Sequence, residues 1–220
     1  KIEADFFAIS DQDDIWLPEK LTRAIEIMSS KQIDLYGGRT ITLSKTGQKV
    51  GHSPLFTKEL SFKNALVQSV MGGNTMVLSK SFVQVLQHTK VMDVASHDWW
   101  LYLLCTGSNA RVFYDTHATI LYRQHGGNII GANSGLRARI YRIQRLFRGD
   151  FTNWNEGNIK ALKAHFDILK IEAQTDVVQF ERLRAKRGFR AMFDLAKARY
   201  YRQTKLGQMG LYLGAWLGRL

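Results

Sequence analysis

The sequence has little cysteine and no long hydrophobic segment. Cys105 is the only cysteine among the 220 residues, so no disulfide can form within the chain, and a reducing compartment fits. No run of residues reaches the roughly 20 apolar positions that a membrane-spanning helix needs. The first residues, from Lys1 to Asp5, enter an apolar run without a methionine or a hydrophobic leader, as if they continued a longer chain. A disulfide-stabilised domain and a membrane-crossing helix within these residues are therefore excluded.

Positive charge is concentrated in the second part of the chain. Residues 1–134 contain 13 lysines and arginines against 12 acidic residues, whereas residues 135–220 contain 18 against 7. The run Gly131–Gly135, between these parts, consists of small turn-forming residues. This asymmetry predicts two parts with different roles, residues 1–133 and residues 134–220.

Three carboxylates follow an apolar run near the start of the chain. The continuous apolar run Phe6–Ile9 predicts a buried parallel strand. Asp11, Asp13 and Asp14 come directly after this run. In open α/β sheets, ligands bind beyond the carboxyl ends of the strands. Clustered carboxylates repel one another unless a cation lies between them, and Mg²⁺ is commonly held by one or two carboxylates plus substrate phosphates. The pattern favours a metal–diphosphate site.

Two other interpretations of this acidic turn explain less. One aspartate could serve the helix that we expect to begin near Pro18, but this would account for Asp14 alone. A calcium-binding EF-hand loop counted from Asp11 would need glycine where Trp16 stands and glutamate where Thr22 stands.

Two further segments carry candidate functional residues. Gly72, Gly73 and Asn74 precede a short strand, where adjacent glycines allow either close approach to a ligand or only a tight turn. Asp98 follows a plausible helix N-cap, so it is either a helix-start residue or a general base at the edge of a cleft. The neighbouring Trp99 could stack on a sugar, although the leucines that follow it favour a place in the core.

Arg123 and His125 lie at alternate positions of an extended segment and therefore project to the same side. Arginine suits bidentate contact with a phosphate, and histidine can ligate a metal or donate to an oxyanion. A glycine pair follows His125, which distinguishes it from the other histidines of the chain.

Hydrophobic periodicity predicts alternating helices and strands before residue 133, and only helices after it. The expected helices of the first part are 18–30, with Leu21, Ala24, Ile25 and Met28 on the sheet, and 60–70. The expected strands are 33–36, 39–43, 48–50, 75–78 and 111–114. The expected helices of the second part are 136–148, 156–170, 176–187, 189–205 and 206–219.

Four ordered blocks, "FFAISDQDDIWLPEKL", "GGNTMVLSK", "SHDWWLYLL" and "ILYRQHGGNIIGA", resemble bacterial family 2 glycosyltransferases. The resemblance covers residues 3–133 and is to the branch described as rhamnosyltransferase-like enzymes of surface-polysaccharide assembly. It implies an α/β sheet of the GT-A type, here without its first strands, followed by a C-terminal helical extension. It also implies a nucleotide-sugar donor, a divalent cation (Mg²⁺ or Mn²⁺) and inversion by single displacement.

The resemblance assigns roles to residues that match its motifs. It implies that Asp98 is the catalytic base for the acceptor hydroxyl. The remaining implied roles are binding of the donor diphosphate by Asp11, Asp13, Arg123 and His125, metal binding by Asp13, Asp11 and His125, and lining of the sugar or acceptor site by Gly72, Gly73, Asn74 and Trp99.

The sequence departs from this family in two places. His97 stands where many relatives have glutamate, so it does not take over that role. The family's N-terminal half, which reads the nucleotide, has no counterpart in these residues. We therefore expect an incomplete donor site, and tight metal-dependent binding of a nucleotide-sugar by these 220 residues alone would contradict this expectation.

The basic part, residues 134–220, predicts helices that carry one apolar face, with Met209, Leu213, Trp216 and Leu220 in the last of them. Such helices suit the surface of an anionic membrane leaflet. A solvated appendage that packs on the catalytic part is the alternative. Nucleic acid ranks last, because no known binding motif is present.

Together these features predict a metal-dependent inverting glycosyltransferase. It would move a sugar, with rhamnose the candidate, from a nucleotide-sugar to a lipid-linked surface polysaccharide, at the cytoplasmic face of the plasma membrane. One alternative is a metal-dependent nucleotidyl- or phosphotransferase, which would share the acidic site but not the "HDWW" and "YRQH" blocks. The other is a non-catalytic module that binds membranes or glycans.

Overall fold

The computed structural model describes residues 3–44, 46–90, 92–123 and 149–220. Internal contacts divide the chain into two compact units, each built from three separate segments. The first unit comprises residues 1–56, 71–88 and 110–134, and the second comprises 57–70, 89–109 and 135–220. The division into residues 1–133 and 134–220 that the sequence predicts is one of function, and it does not coincide with these two units. It stays a prediction.

The described residues alternate between strands and helices up to Arg123 and are helical from residue 149 onward, as the periodicity predicts. In chain order the elements are β1 (Phe6–Ala8), β2 (Ile15–Trp16), α1 (Lys20–Lys31), β3 (Leu35–Gly38), β4 (Ile41–Leu43), β5 (Lys49–His52), α2 (Phe62–Ala65), a 3₁₀ turn (Gly73–Thr75), β6 (Val77–Ser79), α3 (Lys80–Gln87), α4 (His97–Gly107), β7 (Val112–Asp115), β8 (Ile120–Arg123), α5 (Asp150–Ala164), a 3₁₀ turn (Phe166–Ile168), α6 (Ile171–Arg184), α7 (Gly188–Lys197) and α8 (Lys205–Leu217).

The described residues of the first unit form two small mixed sheets. One has the strand order β1-β6-β3-β7 and the other β2-β8-β4-β5. Strands β3 and β7 are parallel, as are β4 and β8, and the other pairs are antiparallel. The chain is therefore an α/β protein, as expected.

The expectation that Phe6–Ile9 forms a buried parallel strand is wrong. Strand β1 pairs antiparallel with β6, with Phe7 opposite Leu78, and it stands at the end of the described strand order. Its two phenylalanines are only half-buried and Ala8 is exposed. A run of three or four apolar residues does not indicate whether its strand pairs parallel or antiparallel. That direction depends on the partner strand, which lies about 70 residues further along the chain.

Helix α1 covers the sheet β1-β6-β3-β7 with part of its expected apolar face. Ala24 and Met28 are buried against Ile33, Tyr36 and Val77. Leu21 and Ile25, which we expected on the same face, are exposed. The helix begins at Lys20, two residues after the expected start, and ends at Lys31, followed by Gln32 in the left-handed conformation, with φ 53°.

A buried carboxylate at the end of β7 joins three segments of the first unit. Asp115 accepts hydrogen bonds from Arg23 Nε (2.6 Å), from the Tyr36 hydroxyl (2.7 Å) and from the His117 N–H (2.9 Å). Burial raises the pKa of Asp115, but these donors outweigh burial and hold the pKa below its ordinary value. Asp115 thus fixes α1 and β3 to the end of β7.

We expect Asp115→Asn to lower the free energy of unfolding by about 2–3 kcal/mol, because the amide cannot satisfy every donor around it. A carboxylate with a depressed pKa stabilises the fold above its unfolded pKa of about 3.9, and the contribution is lost as pH falls through the folded pKa. The difference between the two proteins should therefore shrink below about pH 4. Urea unfolding at a series of pH values on both sides of this point measures the difference in free energy of unfolding. Glu26→Gln, which changes an exposed carboxylate, is the control. A difference that stays constant down to about pH 3 would contradict this role.

Helix α4 forms the centre of the second unit. Its residues from Trp99 to Cys105 are all buried, so the helix is apolar on every side. Cys105 is buried and forms no disulfide, which agrees with its predicted place in an apolar segment. Tyr102 donates a hydrogen bond from its hydroxyl to the side-chain oxygen of Asn64 (2.9 Å), and this bond attaches α2 to α4.

The expected helix 60–70 is much shorter in the structure, where only Phe62–Ala65 is helical. Ser61 caps it by accepting the Asn64 N–H. The Asn64 side chain then donates to the Tyr201 carbonyl (2.9 Å), so tertiary contacts fix this segment where periodicity alone suggested a continuous helix.

Four of the five helices expected in the basic part are present with shifted bounds. Helix α5 begins at Asp150, directly after Gly149 in the left-handed conformation, with φ 82°. The expected helix 136–148 lies outside the described residues. Within the ranges that are described, no helix is both long enough and apolar enough to cross a bilayer.

Candidate functional site

The acidic turn between β1 and β2 is held in place by Asp14. The half-buried Asp14 carboxylate accepts a short hydrogen bond from the Asn74 side-chain amide and a second one from the Arg123 N–H (3.3 Å). These contacts connect three of the sequence blocks: the acidic turn, the Gly72–Asn74 segment and the strand β8.

The three carboxylates of the turn interact electrostatically. Burial raises the pKa of Asp14, the hydrogen bonds from Asn74 and Arg123 lower it, and the negative charges of Asp11 and Asp13 raise it again. The net direction is upward. Negative charge is therefore crowded at this turn, and a cation would relieve the repulsion.

Gly72 allows a close approach within the protein. A side chain at Gly72 would place its Cβ only 2.7 Å from the Asn74 side-chain oxygen. The hydroxyl of Thr75 donates to the Gly72 carbonyl (2.7 Å) and accepts the Gly38 N–H (3.1 Å), which fixes this 3₁₀ turn against β3. The turn orients the buried Asn74 toward Asp14, which favours the turn interpretation of the glycine pair over direct ligand approach.

Arg123 is the last residue of β8 and is half-buried. Its backbone position next to Asp14 places it in the same part of the first unit as the acidic turn. His125 lies outside the described residues, so the predicted pairing of Arg123 with His125 stays a prediction.

A buried lysine that sequence reasoning missed follows the acidic turn. Lys20 is 1% exposed, and its ammonium lies 4.1 Å from the centroid of the Trp16 ring. Burial lowers the pKa of Lys20 to about 8. Its Nζ has no hydrogen-bond partner in the part of the chain that the structure describes. No local sequence pattern identifies this contact, because Trp16 ends β2 and Lys20 begins α1.

Asp98 lies in the second unit, in the first turn of α4. Its Oδ1 accepts hydrogen bonds from the Ser96 hydroxyl and from the Trp99 N–H (2.7 Å). Among the described residues Oδ2 accepts none, and the side chain is half-buried. This geometry is that of a helix-start residue, and it leaves one carboxylate oxygen able to accept a proton.

Trp99 packs in the core of the second unit. Its indole N–H donates to the Ala65 carbonyl (2.6 Å), its ring stacks on Phe151, and it meets Trp154 edge-on. The side chain is buried, so these contacts give no support to its predicted place in the sugar or acceptor site.

The structure thus groups Asp11, Asp13, Asp14, Asn74 and the backbone of Arg123 in the first unit, and it places Asp98 and Trp99 in the second. In the described ranges no three histidine, cysteine or acidic side chains form a metal-binding group. Two crowded carboxylates nevertheless fit a hard cation such as Mg²⁺, which keeps water and substrate oxygens as its other ligands.

Comparison with known proteins gives one curated relative and a distant structural similarity. The chain is 30% identical over 144 residues to the protein named dTDP-rhamnosyl transferase RfbG from Shigella flexneri, a match that covers 63% of this chain and 50% of the relative. The chain therefore spans about half the length of that relative. No protein-family model matches the sequence.

The chain is also similar to the crystal structure of S. aureus TarS 1-349 in complex with UDP-GlcNAc. The sequence identity is 16% and the TM-score is 0.41, and the match covers 90% of this chain and 58% of that one.

Proposed function

We propose that this chain forms the acceptor-side and metal-binding portion of an inverting glycosyltransferase of the GT-A type. The observation that carries the proposal is the Asp14 carboxylate, which bonds to both Asn74 and Arg123 and so joins blocks that are widely separated in sequence. The similarity to a named rhamnosyl transferase supports it independently. The donor proposed here is dTDP-rhamnose.

The motif residues divide into groups with different roles in the proposed reaction. Asp11 and Asp13, with His125, would hold a divalent cation, which when bound supplies positive charge against the donor diphosphate. Arg123 would stabilise the negative charge that grows on the departing nucleoside diphosphate. Gly72, Gly73 and Asn74 support the acidic turn that faces the donor.

Asp98 is the proposed catalytic base. Its Oδ2 would accept the proton of the acceptor hydroxyl while that oxygen bonds to the anomeric carbon and the diphosphate leaves from the opposite face. Because bond formation and departure occur on opposite faces of the sugar, the configuration at the anomeric carbon inverts. The acceptor in this proposal is a lipid-linked polysaccharide at the cytoplasmic face of the plasma membrane.

The test is cation-dependent donor binding by the natural protein that contains this sequence, measured by calorimetry with dTDP-rhamnose, with and without Mg²⁺ or Mn²⁺. We expect Asp11→Asn combined with Asp13→Asn to weaken cation-dependent binding at least about 10-fold, because each carboxylate supplies charge to the cation. Glu26→Gln, which removes an exposed carboxylate from α1, should bind as the unchanged protein does.

Binding that persists undiminished in the presence of a chelator, or in the doubly substituted protein, would contradict the proposed metal site. Transfer of phosphate or nucleotide to the acceptor in place of sugar, detected by mass spectrometry, would replace the proposal with the transferase alternative.

A further inference from the structure

Helix α8 has an apolar stripe on its solvent side. Leu206, Met209, Leu213 and Trp216 are spaced by three, four and three residues, so they lie along one side of the helix. Their exposed fractions range from 42% to 66%. After Lys205, every residue of this helix that is exposed to solvent is apolar. A surface helix normally carries polar residues in these positions.

The opposite side of α8 packs within the second unit. Leu211, Gly214 and Ala215 are buried, and α7 is the helix with which α8 packs most extensively. The two helices are antiparallel, because Arg187 before α7 contacts Gly218 after α8. Leu220, which we expected on the exposed face, is buried, and its carbonyl accepts a hydrogen bond from Arg184 Nε (2.8 Å).

Helix α7 also has exposed apolar side chains. Phe189 and Phe193 are one turn apart and are 82% and 67% exposed. They lie opposite the buried Ala191 and Leu195. Exposed aromatic side chains of this size are uncommon on a surface that faces only water.

Strong positive charge surrounds both helices. The 39 residues from Arg182 to Leu220 contain ten lysines and arginines and one acidic residue, Asp194, which is paired with Lys186. A second copy of the chain would bring two positively charged surfaces together, which opposes self-association. An occupant with an apolar interior and an anionic surface matches both the stripe and the charge, and an anionic lipid bilayer has these properties.

The length of α8 determines how it could meet a bilayer. Its 13 residues extend about 20 Å, which is shorter than the hydrocarbon core of about 30 Å. A helix with one apolar face and basic flanks lies in the interface, with the apolar side chains among the upper acyl chains and the cations at the headgroups. Tryptophan is the residue type that favours this depth.

We propose that α8, together with Phe189 and Phe193 of α7, is a membrane-binding surface that inserts the stripe Leu206, Met209, Leu213 and Trp216 into an anionic leaflet. The sequence predicted membrane binding by the basic part as a whole. The proposed surface is limited to α7 and α8 and to one side of each helix. The inference does not depend on the chemistry of the donor site.

The test is co-sedimentation of the 220-residue chain with vesicles of phosphatidylcholine, with or without phosphatidylglycerol. We expect binding to the anionic vesicles that weakens as salt is raised, and little binding to phosphatidylcholine alone. Replacing all four stripe residues by glutamine should weaken binding at least about 10-fold, because each loses an inserted apolar group. Since these side chains are exposed, the variant should keep the circular dichroism spectrum of the unchanged chain.

The matched control is Leu21→Gln with Ile25→Gln, which removes exposed apolar side chains of similar size from α1 in the first unit. This variant should bind vesicles as the unchanged chain does. Equal binding by the stripe variant, or failure of the unchanged chain to bind anionic vesicles, would overturn the proposal. A dimer in size-exclusion chromatography that requires the stripe, without vesicle binding, would assign the surface to a second copy of the chain.

Discussion

Asp98→Asn should lower the rate of sugar transfer by about 10²–10⁴-fold in the natural protein that contains this sequence, because a carboxamide cannot accept the proton of the acceptor hydroxyl. The side-chain oxygen of asparagine can still accept hydrogen bonds from Ser96 and Trp99, so the start of α4 should stay intact. Donor binding should therefore change little. Transfer measured by mass spectrometry of the acceptor, beside donor calorimetry, separates the two effects.

Glu172→Gln is the control for this substitution, since Glu172 also lies in the first turn of a helix but has no proposed role in catalysis. Its effect on transfer should be negligible. If Asp98→Asn transfers sugar at the original rate, Asp98 is only a helix-start residue and the proposed mechanism is wrong.

Asn74→Ala should destabilise the first unit by about 2 kcal/mol and weaken cation-dependent donor binding, because it removes a hydrogen bond to the half-buried Asp14 carboxylate. Asp14→Ala should lower the free energy of unfolding by less than Asn74→Ala does, since it also removes the repulsion of Asp14 by Asp11 and Asp13. The two substitutions should be non-additive by about 1–2 kcal/mol, because both remove the same contact.

Urea unfolding of the two single variants and the double variant measures this coupling. The exposed Asn109→Ala provides a control for the loss of an amide side chain. Additive effects would show that Asp14 and Asn74 act independently and that the acidic turn is held by other contacts.

The sequence predicted the acidic turn but not the strand pairing that supports it. A short apolar run, a polar turn and an amphipathic helix are local patterns, so β1, the turn and α1 were located within two residues. The antiparallel pairing of Phe7 with Leu78 depends on a segment far along the chain. No local pattern contains that information.

Buried charged residues were the least predictable part of the first unit. Asp115 lies at the end of a strand like many solvent-exposed aspartates, and only its contacts with Arg23 and Tyr36 distinguish it. Lys20 stands in the first turn of a helix, where a solvent-exposed side chain is the ordinary expectation.

The sequence pointed to the acidic turn and the Gly72–Asn74 segment separately, and it did not predict the contact that joins them. The resemblance placed Asp11, Asp13 and Asn74 in one functional region, and the structure adds that Asp14, which was given no role of its own, is the residue that connects them. Gly72 illustrates the same limit, because its close approach to Asn74 cannot be recognised from the sequence alone.

The construction of each unit from three segments has a consequence for dissecting the protein. A piece that begins at residue 134 would contain α5 to α8 but would lack the indole of Trp99, on which Phe151 stacks, and the amide of Asn64, which bonds to Tyr201. Removing that piece would in turn expose α4. Neither half defined by a cut at this position retains a complete core, so point substitutions will separate the roles of the two units where truncation will not.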